Sequence, residues 1–186
     1  TPFYNLGRRE MSGYELAFNY ALPELAAGQF EVDVALSQLA TFKVGGAGGS
    51  LVDIAGGYDY SAGMFFSTGA LPKTRGAVGL SWARGPWSAA SQYNFMSSYS
   101  DLSASGERID RKIPFYATAN FQVAYELGGT QGRSQSWLPM NAVRLTLGVQ
   151  NAFDREVPFL VVVNGYNNYE NDIRGRFVYA RVAMDF

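Results

Sequence analysis

Residues 175–186 read GRFVYARVAMDF, and this stretch decides the fold class. Val178, Ala180, Val182, Met184 and Phe186 fall on one side of an extended chain. Tyr179, Arg181, Ala183 and Asp185 fall on the other. A period of two is the mark of a β-strand, because successive side chains leave opposite faces. The stretch closes on an aromatic residue with no polar tail, so Phe186 is expected to belong to the strand rather than to fray into solvent. In a soluble sheet the apolar side would be core. In an outer-membrane barrel it would meet lipid, and the charged side would line a wet lumen. One strand leaves both readings open.

Working back along the chain, the same alternation recurs. Residues 115–127 set Ala119, Phe121, Val123, Tyr125 and Leu127 against Thr118, Asn120, Gln122, Ala124 and Glu126. Residues 141–151 set Val143, Leu145, Leu147 and Val149 against Arg144, Thr146, Gly148 and Gln150. Residues 11–22, 29–43, 73–84 and 87–99 repeat it; in 29–43, Phe30, Val32, Val34 and Leu36 oppose Glu31, Asp33, Ala35 and Ser37. This gives about seven strands and no helix. Residues 1–10 read as a polar loop.

Connections alternate in length. Residues 23–28 and the pair Gly85-Pro86 are short, and 128–140 is modest. Residues 44–71, 100–114 and 154–174 are long, and the first of these is glycine-rich and aperiodic. Short turns at one end and long loops at the other are the habit of outer-membrane barrels. Strand length points the same way. Twelve residues rise roughly 40 Å and, tilted ~40°, span about 30 Å, which covers the ~25 Å apolar band of such a barrel. Soluble strands are usually ~5–6 residues long.

Composition narrows the function. With 47% hydrophobic and only 17% charged residues, disorder is excluded. The 12 Tyr, 13 Phe and 21 Gly suit a β protein with one apolar surface. A net charge of −1 offers no basic patch for nucleic acid. The chain has no Cys and no His, which removes thiol nucleophiles, Cys/His zinc sites and the usual neutral-pH base. There is no paired acid motif and no Gly-x-Ser-x-Gly, so no catalytic residue, metal ligand or cofactor is expected. No apolar run approaches the ~18 residues of a membrane helix. Mean hydropathy is −0.09, a value a barrel wall also gives, because its two faces cancel.

Several landmarks together resemble the C-terminal portion of a TonB-dependent outer-membrane receptor. Asn5-Leu6-Gly7 followed by Gly13-Tyr14-Glu15 is similar to one strand entry of that family. Leu71-Pro72 with Arg75, closing on Trp82, resembles another. Tyr116, Gln122 and Tyr125 resemble a third, with Asn120 where Asp is common. The most specific match is Leu147-Gly148-Val149-Gln150-Asn151-Ala152-Phe153-Asp154, continuing through Pro158-Phe159, with Val157 where the family often has a first Pro. Gly165-Tyr166-Asn167, Gly175-Arg176 and Phe186 complete the series.

The resemblance implies an all-β fold, an antiparallel transmembrane β-barrel segment: about seven long strands of a larger, ~22-stranded barrel. Residues 1–186 would be the C-terminal part of that barrel, a cut or processed piece without the plug domain and earlier strands. The implied function is energy-coupled uptake of a scarce ligand (ferric siderophore, cobalamin or oligosaccharide) across the outer membrane of a Gram-negative bacterium. The implied partners are outer-membrane lipid, the TonB complex through the missing N-terminal region, the barrel-assembly machinery and the small ligand itself. Long loops would be extracellular and short turns periplasmic.

Both readings carry expectations for individual residues. Arg181, Arg144, Glu126, Gln122, Glu31 and Asp33 should face the lumen, where solvation or contact with a plug is the ordinary role. Asp53, Tyr58, Asp59, Tyr60, Asp101, Asp110, Tyr166 and Tyr169 lie in long loops, as ligand contacts or simply solvated side chains; their spacing matches no calcium loop. Trp82, Trp87, Tyr93 and Tyr125 are candidates for interfacial aromatic girdles. The ligand-binding set is unknown at this level. Two other classes stay open: a complete small β-barrel or soluble β-domain binding a ligand, and an outer-membrane enzyme using carboxylates or Ser. Finally, Phe186 with Met184, Val182, Ala180 and Val178 resembles the signal read by the barrel-assembly machinery. Deletion of Phe186 from the full-length protein is expected to lower its yield in outer-membrane fractions; unchanged assembly would sink that assignment.

Overall fold

The computed structural model describes residues 7–46, 50–59, 69–102, 108–127, 142–160, 165–167 and 170–185. Seven long strands make one antiparallel sheet: β1 (Gly7–Ala21), β2 (Gln29–Gly46), β6 (Thr74–Arg84), β7 (Trp87–Met96), β10 (Tyr116–Leu127), β11 (Ala142–Gln150) and β12 (Phe177–Asp185). Each pairs with the next in that order, as a meander. Five short strands decorate it. β3 (Val52–Asp53) adds to β2, β4 (Tyr58–Asp59) pairs with β5 (Gly69–Ala70), and β8 (Tyr99–Leu102) pairs with β9 (Arg108–Ile113).

The register fixes which side chains share a face. Phe18 sits opposite Val34, Val34 opposite Val78, and Val78 opposite Tyr93. Further along, Val123 faces Leu147 and Leu147 faces Ala180. This side is mostly apolar from β1 to β12, with Ser91 between Leu80 and Phe121 an exception. It is also exposed: Leu16, Leu147 and Val178 are all open. The opposite side carries Asn19, Glu31, Asp33, Gln92, Asn120, Gln122, Glu126, Arg144 and Arg181. A slip of one residue would exchange the two sets, so each strand's register is set by the same constraint.

Aromatic rings gather at both ends of the apolar face. At the turn end Trp87 packs edge-on to Tyr125 at 4.6 Å, and the Trp82 indole N–H donates to the Ala27 carbonyl at 2.7 Å. Toward the loop end stand Tyr93 and Phe95, 6.0 Å apart, then Phe115, and Phe121 against Phe153.

Four sequence expectations change. Residues 7–10, read as loop, belong to β1, because the β2 partner extends to Gly46 and pairs them. Residues 44–71 and 100–114, read as loops, carry β3 to β5 and the β8–β9 hairpin. These strands are too short to show a period; β3 is held by β2, and β4 of one connection contacts β8 of the other. Strand β7 stops at Met96, so Tyr99 belongs to the hairpin. Strand β12 begins at Phe177, after Gly175-Arg176 has made a turn.

Two features adjust the pleat. Ser12 pairs with Thr41 but Gly13 pairs with Leu39, which leaves Ala40 bulged out of β2. A bulge of one residue re-aims the side chains beyond it, and it brings Phe42 to the side of Leu39, where both pack in one cluster. On the polar face, Tyr179 of β12 lies across Gly148 of β11, and its hydroxyl donates to Gln122 Oε1 of β10 at 3.2 Å. A Cβ on Gly148 would sit 2.4 Å from Tyr179 Cζ. Gly148→Ala should therefore displace the ring and lower stability by roughly 1–3 kcal/mol. In a thermal-unfolding double-mutant cycle with Tyr179→Ala, most of that loss should vanish; an equal loss in both backgrounds would mean that Gly148 does not make room for the ring.

Candidate functional site

The polar face holds a trough of about 790 Å³. Its floor is made of small residues, among them Ala17, Ala35, Ala77, Gly79 and Ala90. Polar side chains rise on either flank. On one side the Asn19 amide donates to both Glu31 Oε1 (2.5 Å) and Asp33 Oδ1 (2.6 Å), which fixes two carboxylates two residues apart on β2. On the other side Gln92 stands directly opposite Asn120, with Gln122 and Tyr179 beside them. Glu126 faces Arg144 across β10 and β11, and Arg144 Nη2 donates to Ser88 Oγ at 3.1 Å. Arg181 is opposite Thr146. All six residues expected to face a lumen thus share this side of the sheet.

At the loop end the same face turns apolar. Met96 on β7 and Tyr116 on β10 face each other across the strands and are buried. They form a cluster with Tyr58, Ala70, Tyr99, Ile113 and Leu160. Beside it, Phe42 packs with Ala55 and Leu71. Among the described residues, Ala55, Tyr58, Leu71, Tyr99, Ile113 and Leu160 of the long connections are therefore buried as a cap against this end of the sheet. A period of two does not report burial between segments far apart in the chain. Among the loop residues singled out from sequence, Tyr58 and Asp101 are buried in this cap, and Asn167 is buried next to the half-buried Tyr166. Asp53 Oδ1 accepts hydrogen bonds from the Phe42 N–H (2.9 Å) and the Ala55 N–H (3.0 Å), which hold its carboxyl below the ordinary value. Tyr60, Tyr169 and Phe186 lie outside the described residues, as do the side chains of Asp59 and Asp110 and the connection 128–141.

The stretch 151–159 has a clear geometry. Asn151 is buried and takes a positive φ of 47°, a conformation Asn adopts more readily than most residues. Its amide copies a peptide unit: Oδ1 accepts from the Arg155 N–H and Nδ2 donates to the Arg155 carbonyl, both at 2.9 Å. Its own N–H donates to Asn120 Oδ1 at 2.9 Å, so the position where the resemblance marks a common Asp works through a side-chain oxygen. Ala152 N donates to the Ala119 carbonyl, extending the tie to β10. Asp154 then reaches across the loop: its Oδ1 accepts from the Arg176 N–H at 2.8 Å. Gly175 has φ 68°, and a Cβ there would meet Asp154 Oδ1 at 2.9 Å, so Gly175 answers both the backbone and the carboxylate. Arg176 Nη2 lies 3.7 Å from Asp154 Oδ2. The two ends of the last loop are clipped together, while Phe153 stands 77% exposed beside Phe121 on the apolar side.

Two arginines tie the cap together; the sequence marks Arg75 only as part of a strand-entry landmark and does not single out Arg111. Arg111 of β9 lies 2.9 Å from Asp101 and donates to the Phe159 carbonyl at 2.6 Å. Arg75 of β6 donates to the Ala70 carbonyl (2.7 Å) and pairs with Glu170 (2.5 Å). Their partners are up to 95 residues away, and no local pattern announces them. Asp172 and Arg174 form an exposed pair; the Arg174 guanidinium and N–H hold the Asp172 carboxyl at about 2.

Asn151→Ala removes two hydrogen bonds of about 1 kcal/mol each and adds backbone strain of ~1 kcal/mol, so the turn should loosen by roughly 2–3 kcal/mol. Amide exchange at Arg155 should accelerate by about two orders of magnitude. An unchanged rate would show that the Asn151 amide does not hold the turn.

A family model described as "TonB dependent receptor-like, beta-barrel" matches residues 1–152 of the 186-residue chain. The match takes in β1 to β11 and the first two residues of the Asn151–Asp154 turn. No curated protein and no solved structure matches the chain. The proteins of the matching family are outer-membrane receptors of Gram-negative bacteria that act as transporters. With an all-β antiparallel sheet of long strands, one face apolar and the other polar, the chain belongs to the TonB-dependent receptor-like β-barrel family.

Proposed function

We propose that this chain is the C-terminal wall of a larger barrel, in a receptor that takes up a scarce small ligand by TonB-coupled transport. The observation that carries the reading is the two-faced sheet. Seven neighbouring strands expose a mostly apolar side, and the opposite side is lined by amides, carboxylates and guanidinium groups. In a bilayer every backbone polar group must be paired within the protein, which antiparallel ladders of this length provide. On this reading the apolar side meets lipid and the polar trough faces the lumen. Arg144, Arg181, Glu126, Gln122, Glu31 and Asp33 line that lumen. The aromatic groups at the two ends of the apolar side lie at the bilayer interfaces.

The edges of the sheet support the larger barrel. Among the described residues β1 pairs only with β2, and β12 only with β11. Further strands would pair with both edges, a plug domain would fill the lumen, and the TonB complex would contact a segment N-terminal to these strands. The barrel-assembly machinery would recognise the closing strand ending at Phe186. The ligand is of the class this family takes: a ferric siderophore, a cobalamin or an oligosaccharide.

The reading is tested by uptake. A strain lacking the full-length protein should lose accumulation of one of these three labelled ligands and regain it with the intact gene. A strain lacking TonB should fail in the same way. Normal uptake of all three without the protein, or uptake indifferent to TonB, would refute the proposal.

A further inference from the structure

At the loop end of β2, β6 and β7 the apolar side of the sheet gives way to polar groups within one pleat. Leu36, Gly76 and Phe95 stand in register as the last apolar row. The Leu36 and Phe95 side chains close over Gly76, where a Cβ would lie 2.6 Å from Leu36 Cδ2 and 2.5 Å from Phe95 Cζ. Two residues further on, Gln38, Thr74 and Ser97 form the next row of the same side. The Thr74 hydroxyl donates to Gln38 Oε1 at 2.7 Å, and the Thr74 N–H donates to Ser97 Oγ at 3.0 Å. This polar row borders a cavity of about 450 Å³, which Lys73 and Lys112 also line. Both lysines are exposed. A Cβ on Gly56 would meet Lys73 Cε at 3.1 Å, so the Lys73 stem lies across the Gly56 backbone. Lys112 pairs with Ser100 in the β8–β9 hairpin, on the side away from the buried Tyr99 and Ile113.

The chemistry of this cavity is one-sided. It carries two positive charges, and among the described residues neither lysine is held in an ion pair. Ser97 accepts from Thr74 and keeps its own hydroxyl hydrogen to donate, and Ser98 and Ser100 add two more hydroxyls. No carboxylate is among the described lining residues. Asp53, whose carboxylate feels the Lys73 charge, already accepts the Phe42 and Ala55 N–H groups. Two ammonium groups among hydroxyl donors match the charged oxygens of a phosphate, to which Lys binds as a point charge. We propose that the cavity binds the phosphate of a lipid headgroup, with Lys73 and Lys112 on its oxygens and the acyl chains running down the apolar side from Leu36 and Phe95. A lipid is favoured over a soluble phosphate because the polar row continues directly into that apolar side, where Phe115 stacks on Phe95. The site rests on the reading above, in which the apolar side meets the bilayer and the loop end is external. It shares no residue with the trough, so it lies on the outside of the wall, apart from the path of a transported ligand.

The test uses the full-length protein purified in a non-ionic detergent. The probe is phosphatidic acid, diacylglycerol with the same chains is the phosphate-free control, and bound lipid is counted by native mass spectrometry. Phosphatidic acid should be retained in preference to diacylglycerol. Lys73→Gln and Lys112→Gln should each weaken its retention about fivefold, and the two together about thirtyfold. Exposed substitutions of this kind leave folding nearly unchanged. Lys73→Arg with Lys112→Arg keeps both charges and should stay within about twofold of the parental protein. Lys43→Gln removes a charge that does not line the cavity, and it too should stay within about twofold. Equal retention by the parental protein and the double Gln variant would overturn the site. Displacement of phosphatidic acid by an equimolar amount of inorganic phosphate would overturn the lipid as its occupant and make the site one for a soluble phosphate. Lysine-dependent retention by a protein that fails the uptake test would sustain the site and refute only the transport.

Discussion

The structure depends on one constraint: seven strands must all turn their apolar side chains to the same side. Backbone hydrogen bonding sets the strands beside one another, but it does not choose the register. That choice comes from the cost of placing Glu126, Arg144 or Arg181 among Val, Leu and aromatic side chains, ~2–4 kcal/mol for a basic residue at mid-bilayer. Because the penalty recurs on every strand, the registers are mutually enforcing. The Tyr179 ring across Gly148, with its hydroxyl on Gln122, adds a lateral tie over three strands. The tie exists because a residue without a side chain leaves room for the ring of its neighbour.

Near the loop end the polar side changes character within a few residues. The Ala40 bulge turns Phe42 inward, and Met96 and Tyr116 point the same way from β7 and β10. An apolar patch on the polar side needs a cover, and the long connections supply it with Ala55, Tyr58, Leu71, Tyr99, Ile113 and Leu160. The buried core of this chain therefore lies between its loops and one end of the sheet. Among the described residues the body of the sheet forms no buried cluster of its own, since one of its faces is open and apolar and the other borders a trough.

The Asn151–Asp154 turn links these two regions. Asn151 ends β11 by replacing a strand partner with its own amide, and it borrows Asn120 from β10 as it does so. Asp154 sets the position at which β12 can begin, because its carboxylate receives the Arg176 N–H and leaves space only for a glycine at 175. The last strand is thus positioned by a turn that precedes it by more than twenty residues. The arginine contacts of the cap share this non-local character, but they join side chain to side chain or carbonyl and do not extend a ladder.

Sequence by itself determined what depends on neighbours along the chain. The two faces, the long strands, the short turns at one end and the Asn-Ala-Phe-Asp motif were legible, because period two and turn chemistry are local. Residues 44–71 and 100–114 showed no such period, and their short strands stayed hidden there. Only the tertiary structure decided that Tyr58 and Asp101 in these segments are buried, and that Arg75 and Arg111 fasten the cap. Burial of that kind arises when residues tens of positions apart exclude water from one another, and no window along the chain contains both partners.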